Sequence, residues 1–299
     1  MIFLLFVGDL SCPELASNGT PFEHRSTGAT ARRAGCPPAN DFIDTINVIL
    51  IIQMAIFIGL IAALFFGMSK TGVPGLGILG VIVMLSAFNG EEKLSTGAVL
   101  PLLVIADSFA VFYYWRGADL KRIVFMLPSV FIGIIAGTFF LWLIDDYVFK
   151  IFLSVLVICL VLFELFRKWM RLTSVPKSAF FARTMGFLAG FTTQAGNAAG
   201  PVMSIYLAAQ NMNKKDFMGT FAVFFFIINI TKLPLIGGLV PGLNMINQNT
   251  IMLDLMLLPG LLVGVLIGRR VFILVPERYF VPMIMCLNLL VPVVILISG

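Results

Sequence analysis

Gly67-Met68-Ser69-Lys70-Thr71-Gly72-Val73-Pro74-Gly75 and Thr192-Thr193-Gln194-Ala195-Gly196-Asn197-Ala198-Ala199-Gly200-Pro201 are two glycine-rich interruptions of hydrophobic runs, set at matching places in the two halves of the chain. Lipid cannot hydrogen-bond a peptide group, so a helix that stops at membrane depth must turn its freed N–H and C=O groups toward protein, water or a ligand. Paired interruptions of this kind usually mark a transporter's binding site. Both stretches are therefore read as parts of one site.

The composition places the rest of the chain in a bilayer. Of 299 residues, 60% are hydrophobic and only 12% are charged, with a mean hydropathy of +1.03. A soluble domain of this length could not hide so much apolar surface in one core. The net charge of +5 does not point to nucleic acid, because the basic residues sit in short loops between apolar runs, where they orient the chain. Cys159 and Cys286 lie far apart in hydrophobic segments and Cys12 and Cys36 lie near the start, so neither a disulfide framework nor a metal site is expected. No cofactor is implied.

Residues 1–44, rich in Ser, Thr, Gly, Pro and Arg, are read as a mobile tail. Ile2 to Val7 is too short to span a bilayer and no basic residue precedes it, so no secretory signal is expected. From Asp44 onward, ten apolar segments recur at about 46–66, 73–88, 95–114, 123–144, 148–166, 180–194, 198–210, 217–239, 250–273 and 279–298. The expected organisation is a first membrane repeat over 45–167, a cytoplasmic linker over 168–178 and a second membrane repeat over 179–299. The second, sixth and seventh segments are short for a crossing and suit re-entrant half-helices.

The two halves share an ordered pattern. Leu127-Pro128-x4-Gly133-x3-Gly137 returns 131 residues later as Leu258-Pro259-x4-Gly264-x3-Gly268. Gly97 and Asp107 can be laid on Gly219 and Asn229 at a displacement of 122. Five segments per repeat would invert one copy relative to the other. Basic residues agree: Arg116, Lys121, Arg122, Arg167, Lys168, Arg171, Lys177, Arg183, Lys214, Lys215, Arg269, Arg270 and Arg278 fall on one side if the loops alternate. That side is expected to be cytoplasmic, with both termini outside. The fold class is thus an all-α polytopic membrane protein of two inverted five-segment repeats, with broken or re-entrant helices meeting near the midplane. The glycine pairs are read as close helix contacts, within the chain or with a second copy.

Ionisable residues within apolar segments are few: Lys70, Asp107, Lys232 and Asp254. Each costs a few kcal/mol at depth unless it meets a partner or a cavity. Lys70 either receives an anion beside the positive end of the helix that starts near Pro74, or reaches the cytoplasmic surface as a loop lysine. Gly196, Asn197, Ala198 and Gly200 offer a similar backbone cradle ahead of Pro201, or a plain turn. For Asp107 and Lys232 two readings stand: an ion pair joining the halves, or a cavity in which Lys232 receives an anion and Asp107 senses protons.

Four ordered motifs carry a resemblance: Gly67 to Gly75; Leu100-Pro101-Leu102-Leu103-Val104-Ile105-Ala106-Asp107; Gly190-Phe191-Thr192-Thr193-x2-Gly196-Asn197-Ala198-Ala199-Gly200-Pro201; and Phe224-Phe225-Phe226-Ile227-Ile228-Asn229-x2-Lys232-Leu233-Pro234. From about Asp44 to Gly299 the chain resembles the TauE/SafE family of membrane exporters. The resemblance implies export of sulfite, sulfoacetate or other organosulfonates across the bacterial inner membrane; the mechanism expected from the two halves is alternating access of one against the other. The substrate-binding candidates are Lys70, Thr71, Gly72, Gln194, Gly196, Asn197, Ala198, Gly200, Asn229 and Lys232, with Asp107 as a proton-coupling or ion-pair residue. The expected partners are a small anionic sulfur compound, membrane lipid and a second copy of the chain as a homodimer, with no nucleic acid. Import of thiosulfate, sulfate or another small organic anion, or an anion channel, are the alternatives. An intramembrane enzyme is disfavoured, since the segments hold no histidine and no clustered acids.

Overall fold

In the computed structural model of the chain, residues 39–87, 92–145, 147–149, 151, 152, 155, 159, 178–210, 212–284, 286 and 287 are described. Two compact units divide it, residues 1–53 and residues 54–299, and the candidate site lies wholly inside the second. The helices in chain order are α1 (Ala39–Thr71), α2 (Gly77–Ala87), α3 (Glu92–Ala98), α4 (Leu100–Tyr114), α5 (Leu120–Leu143), α6 (Ala179–Gly196), α7 (Ala199–Ala209), α8 (Lys214–Ile236) and α9 (Gln248–Leu274). A single 3₁₀ turn, Trp115–Gly117, follows α4. Among the described residues there is no strand, only an isolated bridge between Gly237 and Asn244.

Five stretches are long and apolar enough to cross a membrane: Gln53–Thr71, Leu94–Gly117, Leu120–Leu143, Lys214–Ile236 and Gln248–Leu274. Their outward faces carry exposed Phe131, Ile132, Ile135, Phe139, Leu262 and Leu266, a surface that only lipid solvates well. The chain is a multi-pass helical membrane protein. α2 and α7 are apolar but shorter. Segments 148–166 and 279–298 fall mostly outside the described residues, as do linker residues 168–177 and tail residues 1–38. The segment expected over 95–114 is two helices, α3 and α4, meeting at Val99. Pro101, in the first turn of α4, has no N–H to continue the ladder of the preceding helix, which is the physical reason for the division.

Helix starts are of two kinds. Asp119, Ser178, Asn213 and Asn247 each accept a backbone N–H with the side chain and so cap α5, α6, α8 and α9. α4 and α7 begin at Val99 and Ala198 with no side-chain cap. At Asp119, partial burial raises the carboxyl's affinity for protons, but the Arg122 N–H and guanidinium, both at 3.1 Å, outweigh it and hold the group below its ordinary range.

The glycine pairs are seams within the chain. Gly264 and Gly268 of α9 press on the backbone of Leu64 and Met68 in α1, and Gly67 and Gly72 press back on the α9 backbone. In the same way Gly133 of α5 lies on Phe187 and Phe191 of α6, while Gly190 lies on Val130 and Ile134. No side chain fits in these contacts, so small residues are required. Gly264→Ala or Gly133→Ala therefore drives a methyl into a carbonyl of the facing helix. Each is expected to destabilise the fold by about 1–3 kcal/mol, seen as a lower melting temperature in detergent and a loss of monodisperse protein on size exclusion.

Candidate functional site

α1 ends at Thr71 and α2 begins at Gly77; α6 ends at Gly196 and α7 begins at Ala199. Val73 N–H returns to the Met68 carbonyl at 2.9 Å, closing the first reversal. The second turns on Asn197, whose φ of 54° makes it the one non-glycine residue with positive φ among the described residues. Asparagine tolerates this left-handed backbone better than most side chains.

Both reversals open on one cavity. Ser69, Lys70, Gly75 and Gly77 line it from the first, Thr193, Asn197, Gly200 and Pro201 from the second. Phe221, Phe225 and Asn229 of α8 and Leu103 of α4 complete the wall. Its volume is about 20 Å³, room for about one water, so a larger guest requires the walls to move apart. A Cβ added at Gly200 would meet nothing within 4 Å, so this glycine is what leaves the space open.

Lys70 is the cation that faces the cavity. Its Nζ lies 2.9 Å from Asp107 Oδ1 and 4.0 Å from the centre of the Phe225 ring, and both charged side chains are almost fully buried. Asn229 Nδ2 donates to Asp107 Oδ2 at 2.6 Å. Asp107 thus pairs with Lys70, not with Lys232. The depth of these groups makes the pairing obligatory, since a lone buried charge is costly.

Lys232, 1% exposed, bonds to residues that line the cavity without lining it itself. Its Nζ donates to the Thr193 carbonyl and Asn197 Oδ1, both at 2.6 Å, and to Thr193 Oγ1 at 3.2 Å. Three acceptors match the three N–H donors of an ammonium group. The lysine also sits at the negative end of α6, sharing the Thr193 carbonyl with the Asn197 N–H. Asn197 Nδ2 reaches the Thr96 carbonyl of α3 at 2.8 Å, so the second reversal is tied to both α3 and α8.

The remaining sequence-derived candidates support the walls. Thr71 Oγ1 lies 2.9 Å from both the Gly67 and Val265 carbonyls, and Tyr114 Oη donates to the Thr71 carbonyl at 2.6 Å. Gly72 belongs to the seam with Gly268, and Gln194 to the seam with Gly137. Gly196 closes α6, and Ala198 packs on Ile78. The sequence reading did not single out Phe225, Thr193 or Tyr114. For Phe225 a signal existed: Phe225, Asn229 and Lys232 follow helical i, i+4, i+7 spacing and share one face of α8.

Two substitutions separate wall from space. Lys232→Ala takes the ammonium donor from Asn197 Oδ1 and Thr193 Oγ1, at about 1–3 kcal/mol for a buried oxygen left unpaired, and is expected to lower the melting temperature. Gly200→Ala is expected to leave the fold intact, whereas Gly200→Leu fills the cavity and abolishes ligand binding measured by calorimetry on folded protein.

Residues 54–295 match the family model described as Sulfite exporter TauE/SafE. No curated protein and no solved structure is matched. The match spans nearly the whole chain, which therefore belongs to the TauE/SafE family, a family of membrane transporters of the sulfite exporter class.

Proposed function

We propose that this TauE/SafE family member exports sulfite, sulfoacetate or other small organosulfonates by alternating access, binding the anion between its two chain reversals. The observation that carries this reading is the single cavity fed by both reversals, with Lys70 in its wall. The N-terminal residues of α7 border the cavity with no capping side chain. Uncapped N–H groups and the positive end of a helix suit an oxyanion. Lysines meet the opposite ends: Lys70 in the last turn of α1 and Lys232 at the end of α6. Positive potential therefore surrounds the cavity.

An inverted repeat is supported by the recurrence of the glycine seams. Leu64, Met68 and Thr71 meet Gly264 and Gly268; displaced by 123 residues, Phe187, Phe191 and Gln194 meet Gly133 and Gly137, which lie 131 residues earlier. Each half lends one helix to a contact with the other half. Asp107 and Asn229, equivalent at a displacement of 122, bond to each other, as residues near a shared axis would. The cavity, too small for a continuous water-filled pore, favours a carrier over an open channel. With the basic loops cytoplasmic, export of an anion runs downhill in an inside-negative membrane, by about 2.3 kcal/mol per charge per 100 mV.

Proteoliposomes loaded with sulfite or sulfoacetate test this. Efflux is expected to rise when an inside-negative potential is imposed. Lys70→Ala removes a charged contact worth about 1.5–3 kcal/mol and is expected to slow efflux about tenfold or more. If no sulfur anion leaves vesicles holding monodisperse protein, the proposal fails. A proton-coupling role for Asp107 requires that Asp107→Asn remove any dependence of flux on an imposed pH gradient.

A further inference from the structure

We propose that Asp107 sets the charge class of the cargo, holding the site to one net positive charge and thereby selecting, among the anions named above, singly charged ones such as hydrogensulfite and simple monosulfonates over doubly charged ones such as sulfoacetate and sulfate. The inference rests on the anion-binding reading of this cavity and adds to it a selectivity that the family match does not specify.

The charge count around the cavity is short. Among the described residues the buried acidic and basic side chains are Lys70, Asp107, Lys232 and Asp254. Asp254 forms no hydrogen bond to the other three. As ammonium groups Lys70 and Lys232 contribute two positive charges, and Asp107 as a carboxylate, 0% exposed and 2.9 Å from Lys70, cancels one. Lys232 has its three donors occupied by Thr193 and Asn197, so it acts on the cargo through its field and not by contact. Lys70 has one carboxylate oxygen and one ring face, which leaves an N–H for the cavity it lines.

A monoanion entering this space brings the local sum to zero. A dianion leaves one negative charge buried without a partner, in a medium where uncompensated charge is strongly disfavoured. Asp107 does this without touching the cargo: it does not line the cavity, and its second oxygen is taken by Asn229 at 2.6 Å. It is a positioning and charge-setting residue.

Methanesulfonate and sulfate make a suitable probe pair, both tetrahedral at sulfur and differing by one charge. In proteoliposomes, with each anion in turn, the unmodified protein is expected to move methanesulfonate at least about tenfold faster, about 1.4 kcal/mol in selectivity. Asp107→Asn, which keeps a side chain able to bond Asn229, is expected to shift that ratio toward sulfate by a similar factor. The double variant Lys70→Gln/Asp107→Asn returns the count to one positive charge and is expected to restore the original ratio, whatever happens to absolute rates. A merely structural role for Asp107 would change rates but not the ratio. Equal or sulfate-favouring transport by the unmodified protein overturns the inference even if the variants do not fold, as does a folded Asp107→Asn protein with an unchanged ratio. Failure to move methanesulfonate, sulfate and sulfite alike defeats the underlying anion-transport reading itself.

Discussion

The Lys70–Asp107 ion pair is the constraint around which the interior is arranged. Both groups are withdrawn from water, at an effective penalty of several kcal/mol per ion, and their attraction offsets this only with good geometry and further bonds. Those are present: a 2.9 Å contact, an amide from Asn229 on the second carboxylate oxygen and the Phe225 ring over the ammonium group. Together they bring the end of α1, the middle of α4 and the inner face of α8 to one point. Because α1 stops within a residue of Lys70, the pair also fixes where the first reversal begins.

A second device recurs at helix ends. Lys232 closes the carbonyls at the end of α6, and Lys214 does the same for α9, bonding the Phe272 and Val275 carbonyls beneath the Phe272 and Phe280 rings. In each case a cation meets the negative end of a helix dipole. The start of α7, by contrast, is left without a side-chain cap. A cavity bordered by a bare amide end such as that of α7, with lysines at neighbouring carbonyl ends, is biased toward negative ligands.

Much of this was legible in the sequence, for identifiable reasons. Glycine and proline clusters break helices locally, so the reversals at 67–75 and 192–201 could be read from spacing alone, and Gly133, Gly137, Gly264 and Gly268 announced close contacts because little else explains such a stripe. What sequence could not supply was pairing across distance. Asp107 and Lys232 were weighed as partners because both are charged and deep, yet Lys70 lies nearer the carboxylate and the Thr193 carbonyl nearer Lys232. The division at Val99 was hidden by continuous hydropathy from 95 to 114, where only Pro101 hinted at it. Phe225 was masked by abundance: with 29 phenylalanines in the chain, composition does not distinguish the one ring that covers a lysine.

The seams have a mechanical corollary. Where Gly264 and Gly268 sit backbone to backbone on α1, and Gly133 and Gly190 join α5 to α6, there is no side chain whose rotation could absorb sliding. In the proposed alternating access, α1 with α9, and α5 with α6, would each move as one stiff lever. The yielding joints would then be the short unwound tips that each lever carries, Gly72 to Leu76 and Asn197 to Ala198, which reach the cavity through Gly75 and Asn197.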